Sequence, residues 1–391
     1  MNQMKCLSSR VREITAFHVM EILARAKVLE AEGRDIVHME IGEPDFPTPP
    51  LLIEAAQKAL QDDPIHYTPA AGDPLLRERI SDFYANRYDV KVKPDRIFIV
   101  PGASGGFLLL LGLLIEAGHE VLLSDPGYPC YPNFVRLFGG VPRWVPVGAQ
   151  TDYNLNSELV EASWSDRTQG VVIASPSNPT GTVMDAETLK ALASTVKEKG
   201  GFLISDEIYH GLSYGVPTPT VLQFDPEAFV INSFSKYFGM TGWRLGWCIV
   251  PDDFKDMAER LAQNLFISAP TLSQRIAVEA FSEKNLEELE RRRMAFDERR
   301  KVLMSGLESL GFGLSARPDG AFYIYADTTP WCDDSEILAR RLLETQGVAV
   351  TPGMDFGVHD ARNYLRFAYT ASTQRIEEAL NRLEDFKRRF L

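Results

Sequence analysis

The sequence predicts an α/β fold: a mostly parallel seven-stranded sheet covered by helices, with a smaller α+β domain built from the N-terminal segment and the C-terminal part. Two observations carry this. Between residues 96 and 250 short apolar runs alternate with stretches of helical periodicity, the pattern of strands joined by crossover helices. Beyond Pro251 the pattern changes to long, highly charged helical stretches and a few isolated strand-like runs. The 391 residues allow two domains and a large core. The expected division is an N-terminal segment, 1–45, joining the small domain, a large domain over 46–285, and a small domain over 286–391.

Composition narrows the function classes. A net charge of -13 argues against a general nucleic-acid binder, which needs a basic surface to meet phosphates. Cys6, Cys130, Cys248 and Cys332 lie far apart with no CxxC pair, so neither a disulfide framework nor a metal site is suggested. The N-terminal stretch MNQMKCLSSRVREIT lacks the apolar core of a signal peptide, and the apolar run from Phe107 to Ile115 is too short to span a bilayer. The expectation is a cytoplasmic protein with reduced thiols and no membrane contact.

In chain order, residues 9–32 show helical spacing, with Ile14, Phe17, Ile22, Leu23, Ala26 and Leu29 among charges and Gly33 as a stop. The stretch IVHMEIGEPDFPTPP then turns from a short strand into a proline-rich loop. Gly42 lies at the junction, where a missing side chain lets backbone approach a ligand. A helix over Leu51 to Leu60 leads to HYTPAAGDP, in which Tyr67 precedes a turn and another amphipathic helix. Strands are expected at 96–100, 120–124, 141–147, 170–175, 201–205, 229–233 and 245–250, with helices at 104–116, 131–138 and 185–199. Past them, 281–311 reads as one long helix with Arg291 to Arg293 on a solvated side, followed by GAFYIYA, a helix over 335–345, VAVTPG and YLRFAYT.

Sites in such sheets lie beyond the carboxyl ends of the strands, and the chemically suggestive residues fall there. After the first strand, PGASGG offers the amides of Ala103, Ser104 and Gly105 at a helix N-terminus, a ready anion site. It does not spell GxGxxG, so a dinucleotide fold has little support. DPGYPCY places Tyr128 after the second strand, either as a core aromatic or against a flat ligand. PSNPTG carries Asn178, in a turn whose amide can donate to an oxygen, and DEIY carries Asp206 and Tyr209. A carboxylate leaving an apolar strand is costly to bury unpaired and calls for a cation. Finally SFSKYFGMTGWRLG brings Ser233, Ser235, Lys236 and Arg244 together. Lysine condenses with aldehydes, while hydroxyls and a guanidinium bind phosphate. An aldehyde carrying a phosphate describes pyridoxal 5'-phosphate.

These residues resemble the cofactor-lysine signature of class I and II aminotransferases, pyridoxal-phosphate fold type I, and the resemblance covers nearly the whole chain. It implies that Lys236 binds the cofactor and moves the substrate proton, and that Asp206 pairs with the ring nitrogen. Asn178 and Tyr209 would share the ring oxygen, and Tyr128 would stack on the ring. Ser233, Ser235, Arg244 and the amides of Ala103 to Gly105 would hold the phosphate, helped by Tyr67 from the partner of a homodimer with shared sites. Gly42 and Arg366, the arginine of YLRFAYT, would take the substrate α-carboxylate. An arginine interrupting a strand would otherwise read as an edge residue facing solvent.

The implied reaction moves the amino group of an L-amino acid to a 2-oxo acid in two alternating half-reactions. The same motifs serve β-lyases and enzymes that cyclise amino acids to aminocyclopropane carboxylate. A pyridoxal-phosphate-sensing regulator has less support, because only a short segment precedes the GEPDF loop. No second arginine can be assigned to a side-chain carboxylate. Phe17, His18, Tyr128 and Tyr323 are candidates for the side-chain pocket.

Overall fold

The structure, a computed structural model, describes residues 8–14, 17–62 and 64–391. Twelve strands occur among them: β1 (Val37–His38), β2 (Ile97–Val100), β3 (Glu120–Asp125), β4 (Val141–Pro146), β5 (Thr168–Ala174), β6 (Phe202–Asp206), β7 (Phe229–Ser233), β8 (Gly246–Ile249), β9 (Tyr323–Asp327), β10 (Val348–Ala349), β11 (Thr351–Pro352) and β12 (Tyr364–Ala368). Seven of them form one sheet in the order β2-β8-β7-β6-β5-β3-β4. All seven coincide with the expected apolar runs to within two residues.

Only β8 runs antiparallel to its neighbours β2 and β7. Consequently β2, β3, β5, β6 and β7 all end on one side of the sheet, and β8 begins there. The central strands are buried on both faces, as continuous apolar runs require. Alternate residues feed two cores: Ile99, Leu122, Val171 and Val230 point to one face, and Val100, Leu123, Val172 and Ile231 to the other. The second face is covered by helix Gly102–Leu114, whose apolar circumference suits burial between the sheet and helix Lys255–Phe266.

The C-terminal part contains the antiparallel sheet β11-β12-β9 and the 28-residue helix Glu283–Leu310, which stops at Gly311 in the left-handed conformation. β1 pairs in parallel with β10, so the segment before the GEPDF loop is built onto this C-terminal part. Helix Thr373–Phe390, which the sequence reading did not anticipate, packs on Glu283–Leu310.

Two expectations need correction. The helix expected over 9–32 is two, Ser9–Arg12 and His18–Ala31. The second starts at His18 because the carboxylate of Asp355 accepts the backbone N–H groups of His18 and Val19, a cap supplied by a residue remote in sequence. Arg292 is not on a solvated side. It is buried and donates to the carbonyl of Pro47 at 2.6 Å, while Arg291 next to it is exposed. For Arg366 the alternative of an edge residue facing solvent is excluded: β12 lies between β11 and β9, and Arg366 is 4% exposed.

Candidate active site

The ends of β2, β3, β5, β6 and β7 surround a cavity of about 340 Å³, within the usual range for small-molecule sites. Of the residues singled out in the sequence, Gly42, Ala103, Ser104, Tyr128, Asn178, Asp206, Tyr209, Ser233, Ser235, Lys236, Arg244 and Arg366 all line it. Gly105 lies just behind, packed so closely on Pro101 that an added Cβ would stand 2.8 Å from its ring. Tyr67 is elsewhere, 80% exposed on the surface.

Lys236 follows β7 directly, and its Nζ donates to the carbonyl of Gly42 at 2.6 Å. Burial pushes its ammonium down to about 8, because a desolvated charge is disfavoured. The opposite effect acts on Asp206 at the end of β6, whose carboxyl burial raises to about 6. Its oxygens accept from the Tyr131 hydroxyl at 2.6 Å and the Ile208 N–H at 3.1 Å. No ion pair to it forms among the described residues. It is a buried carboxylate facing the cavity, bonded to no cation among the described residues.

Arg366 reaches the same cavity from β12. Its guanidinium lies between the rings of Tyr323 and Phe356, 4.3 and 4.7 Å from their centroids. Nη1 donates to Oδ1 of Asn178 at 2.9 Å, and Nη2 to the carbonyl of Glu40 and to Oγ1 of Thr351. Nε is buried with no partner, an open donor for an anion. Since the carbonyl oxygen of Asn178 serves Arg366, its amide nitrogen remains available to the cavity. Tyr209 and Tyr323 meet hydroxyl to hydroxyl at 2.9 Å, and Tyr323 leaves no room for a side chain at position 42: a Cβ there would lie 1.9 Å from its oxygen.

At the other end are Ser235, Arg244 and the first turn of helix Gly102–Leu114, whose leading N–H groups have no side-chain cap. Arg244 has a left-handed backbone, φ 53°, and its Nη2 lies 2.7 Å from where a Cβ on Gly102 would stand; Gly102 itself has φ 71°, a conformation that favours glycine. Nη1 donates to the carbonyl of Thr241. The Ser233 hydroxyl is engaged within the loop, 3.1 Å from the carbonyl of Leu245 and 3.0 Å from Oγ of Ser235.

The model of the family described as aminotransferase class I and II matches residues 34–383. The chain belongs to this family. The aminotransferase is 38% identical over 383 residues to the (5-formylfuran-3-yl)methyl phosphate transaminase of Methanocaldococcus jannaschii, covering 97% of this chain and 99% of that one. It is 38% identical over 372 residues to the valine–pyruvate aminotransferase of Mycobacterium tuberculosis, covering 95% and 96%. The crystal structure of the Thermus thermophilus aspartate aminotransferase with maleate superposes with a TM-score of 0.92 at 34% identity, covering 98% of this chain and 100% of that one. The protein is therefore a pyridoxal-phosphate-dependent aminotransferase of fold type I.

The cavity of this aminotransferase fits the cofactor on its own evidence. The unpaired carboxylate of Asp206 suits a protonated ring nitrogen, Lys236 an aldehyde, and the uncapped helix N-terminus with Arg244 a phosphate. Three supports escaped the sequence reading: Tyr131 under Asp206, and Thr351 and Phe356 around Arg366. Tyr131 stands in the same DPGYPCY run as Tyr128, so a second tyrosine three residues on was its only signal. Among the described residues no helix is long and apolar enough to cross a membrane.

Proposed function

We propose that Lys236 is the cofactor-bearing and proton-moving residue of an enzyme that passes the amino group of an L-amino acid to a 2-oxo acid in two alternating half-reactions. The observation carrying this is the placement of one desolvated amine, Lys236, in a cavity that also holds a cation-seeking carboxylate, Asp206, and an anion-seeking guanidinium, Arg366. Bound pyridoxal phosphate supplies an aldehyde carbon that joins amines reversibly and a protonated ring that accepts the electron pair of a broken Cα–H bond. Asp206 would hold the ring nitrogen protonated, with Tyr131 fixing the carboxylate. Asn178 and Tyr209 would meet the ring oxygen, and Tyr128 would cover the ring. Ser233, Ser235, Arg244 and the amides of Ala103 to Gly105 would hold the phosphate; Ser233 is supported more as the brace that presents Ser235.

Arg366 would bind the substrate α-carboxylate through its open Nε–H, its guanidinium held flat by Tyr323 and Phe356. The depressed pKa of Lys236 matters next. Near neutral pH an appreciable fraction of its Nζ is uncharged, so it can take the α-proton and return it on the other side of the reaction as general base and then acid. Tyr67, remote from this cavity, would serve the phosphate site of a second subunit in a homodimer. A cytoplasmic location is supported by Cys130, Cys248 and Cys332, all unpaired.

The test is an absorbance titration of the cofactor-loaded enzyme. An amino donor should convert the band near the visible edge to the amine form, and a 2-oxo acid should restore it. Lys236→Ala should retain cofactor but lose turnover by roughly a thousandfold or more. A wild-type rate in the pure variant, or a coloured enzyme that no amino acid converts to the amine form, would overturn the proposal, the latter in favour of a lyase.

A further inference from the structure

Among the described residues the cavity is lined by three cationic side chains, and each is tied to a position. Lys236 is held on the carbonyl of Gly42. Arg244 is fixed beside Gly102 and the carbonyl of Thr241. Arg366 is clamped between two rings and bonded to Asn178, Glu40 and Thr351, so it cannot turn toward a second carboxylate. The wall left for a substrate side chain is formed by Phe17, Val19 and Met20 with Ile41, all apolar. His18, between them in sequence, does not line the cavity; its Nδ1 lies 4.0 Å from Glu21.

The position of this wall has a cause. Asp355 accepts the N–H groups of His18 and Val19 and so pins the start of helix His18–Ala31 against the site. The same interaction puts a carboxylate, 9% exposed, directly behind the apolar residues. A substrate with a second carboxylate would lose hydration there, meet no free cation among the described residues of its own chain, and feel a like charge.

On this basis, and resting on the assignment of Arg366 to the α-carboxylate, we propose that the enzyme takes amino acids with neutral, apolar side chains and discriminates against dicarboxylates, with Phe17, Val19 and Met20 as its specificity-determining residues. A methylene in an apolar pocket is worth roughly 10- to 200-fold at most in kcat/KM, so the apolar series should be graded rather than all-or-none. Exclusion of an unpaired carboxylate should be stronger. Met20 is 57% exposed at the cavity mouth, where a longer polar side chain can be accommodated without disturbing the core.

The experiment is single-turnover conversion of the cofactor-loaded enzyme by alanine, valine, leucine, phenylalanine, aspartate and glutamate, followed by absorbance. Leucine or phenylalanine should exceed alanine, and aspartate and glutamate should fall at least roughly 100-fold below leucine. In Met20→Arg, aspartate or glutamate should gain at least roughly tenfold, and Phe17→Ala should raise KM for the large apolar donors more than it lowers kcat. If wild-type enzyme converts aspartate or glutamate as well as leucine, this inference fails while the proposed function stands. If no amino acid converts the loaded enzyme, both fall.

Discussion

Burial acts at the residue scale in opposite senses on Lys236 and Asp206, lowering the amine and raising the acid, and the result is a pair whose charges are expensive until a ligand joins them. Behind Arg366 a different arrangement appears. His38 lies between Glu40, at 2.7 Å from its Nδ1, and Glu30, at 3.1 Å from its Nε2. Hydrogen bonding to Glu40, partly opposed by burial, raises the imidazole to about 9. The unfolded value is near 6.5, so the folded state binds the proton more tightly. The stability this gives is complete below about pH 6.5, declines above it, and is lost as pH rises through about 9. Because His38 and Glu30 are partly exposed and a Gln amide can still donate to the buried Glu40, His38→Gln should cost only about 1 kcal/mol at low pH. Urea midpoints of the two proteins should converge above pH 9; a gap that is constant or widens with pH would contradict this. Residues such as Lys236, Asp206 and Asn178 were legible in the sequence because each directly follows an apolar strand in a short, distinctive turn. Tyr131, Thr351 and Phe356 were not, since their roles arise from contacts with Asp206 or Arg366 that no local pattern records.

Strands and helices were legible for related reasons. A parallel strand buried on both faces is an unbroken apolar run between turn residues, and all seven of the large sheet have that form except the edge strand β4. The direction of β8 was not legible, because an apolar run is the same read either way. The long helix Glu283–Leu310 shows what charge counting misses. Successive residues of a helix point about 100° apart, so three consecutive arginines cannot share a side. Arg292 and Arg299 face inward and hold the GEPDF loop, the first at Pro47 and the second through a two-pronged pair with Asp45, at 2.7 and 3.0 Å, over the ring of Phe46. That loop carries Gly42, and through its carbonyl the orientation of Lys236. Lysine cannot reproduce the planar fork. Arg299→Lys should therefore raise the KM of every amino donor alike, roughly tenfold, with a smaller change in kcat; steady-state kinetics over two unrelated donors checks it, and an unchanged KM would show that the loop is held without this pair.

For the whole molecule, the open question is where Tyr67 works. Its loop is firmly set: the carbonyl of His66 accepts from Thr271 at 2.6 Å, and Thr68 from Gln274 at 3.0 Å. A tyrosine held in place yet 80% exposed, with Ile65 beside it exposed as well as Ile267, which precedes the Thr271 that bonds this loop, suits a surface that a second copy covers. Ile267 adds strain to this region, since a β-branched residue at φ 63° is unfavourable unless its surroundings demand it. If Tyr67 bonds the cofactor phosphate across a homodimer, Tyr67→Ala should weaken cofactor retention roughly tenfold, the worth of one hydrogen bond to a charged group. A hybrid of one Lys236→Ala chain and one Tyr67→Ala chain then contains one site with both residues intact and one with neither. The hybrid, separated by two affinity tags, should show about half the wild-type activity per dimer with wild-type cofactor retention in the active half. Were Tyr67 to act within its own chain, the only lysine-bearing site would lack it, and the hybrid's activity would be lost on cofactor depletion as readily as that of the Tyr67→Ala homodimer. The cofactor concentration that half-restores the hybrid's activity after dialysis, wild-type for a shared site and raised for a self-contained one, therefore separates the two arrangements.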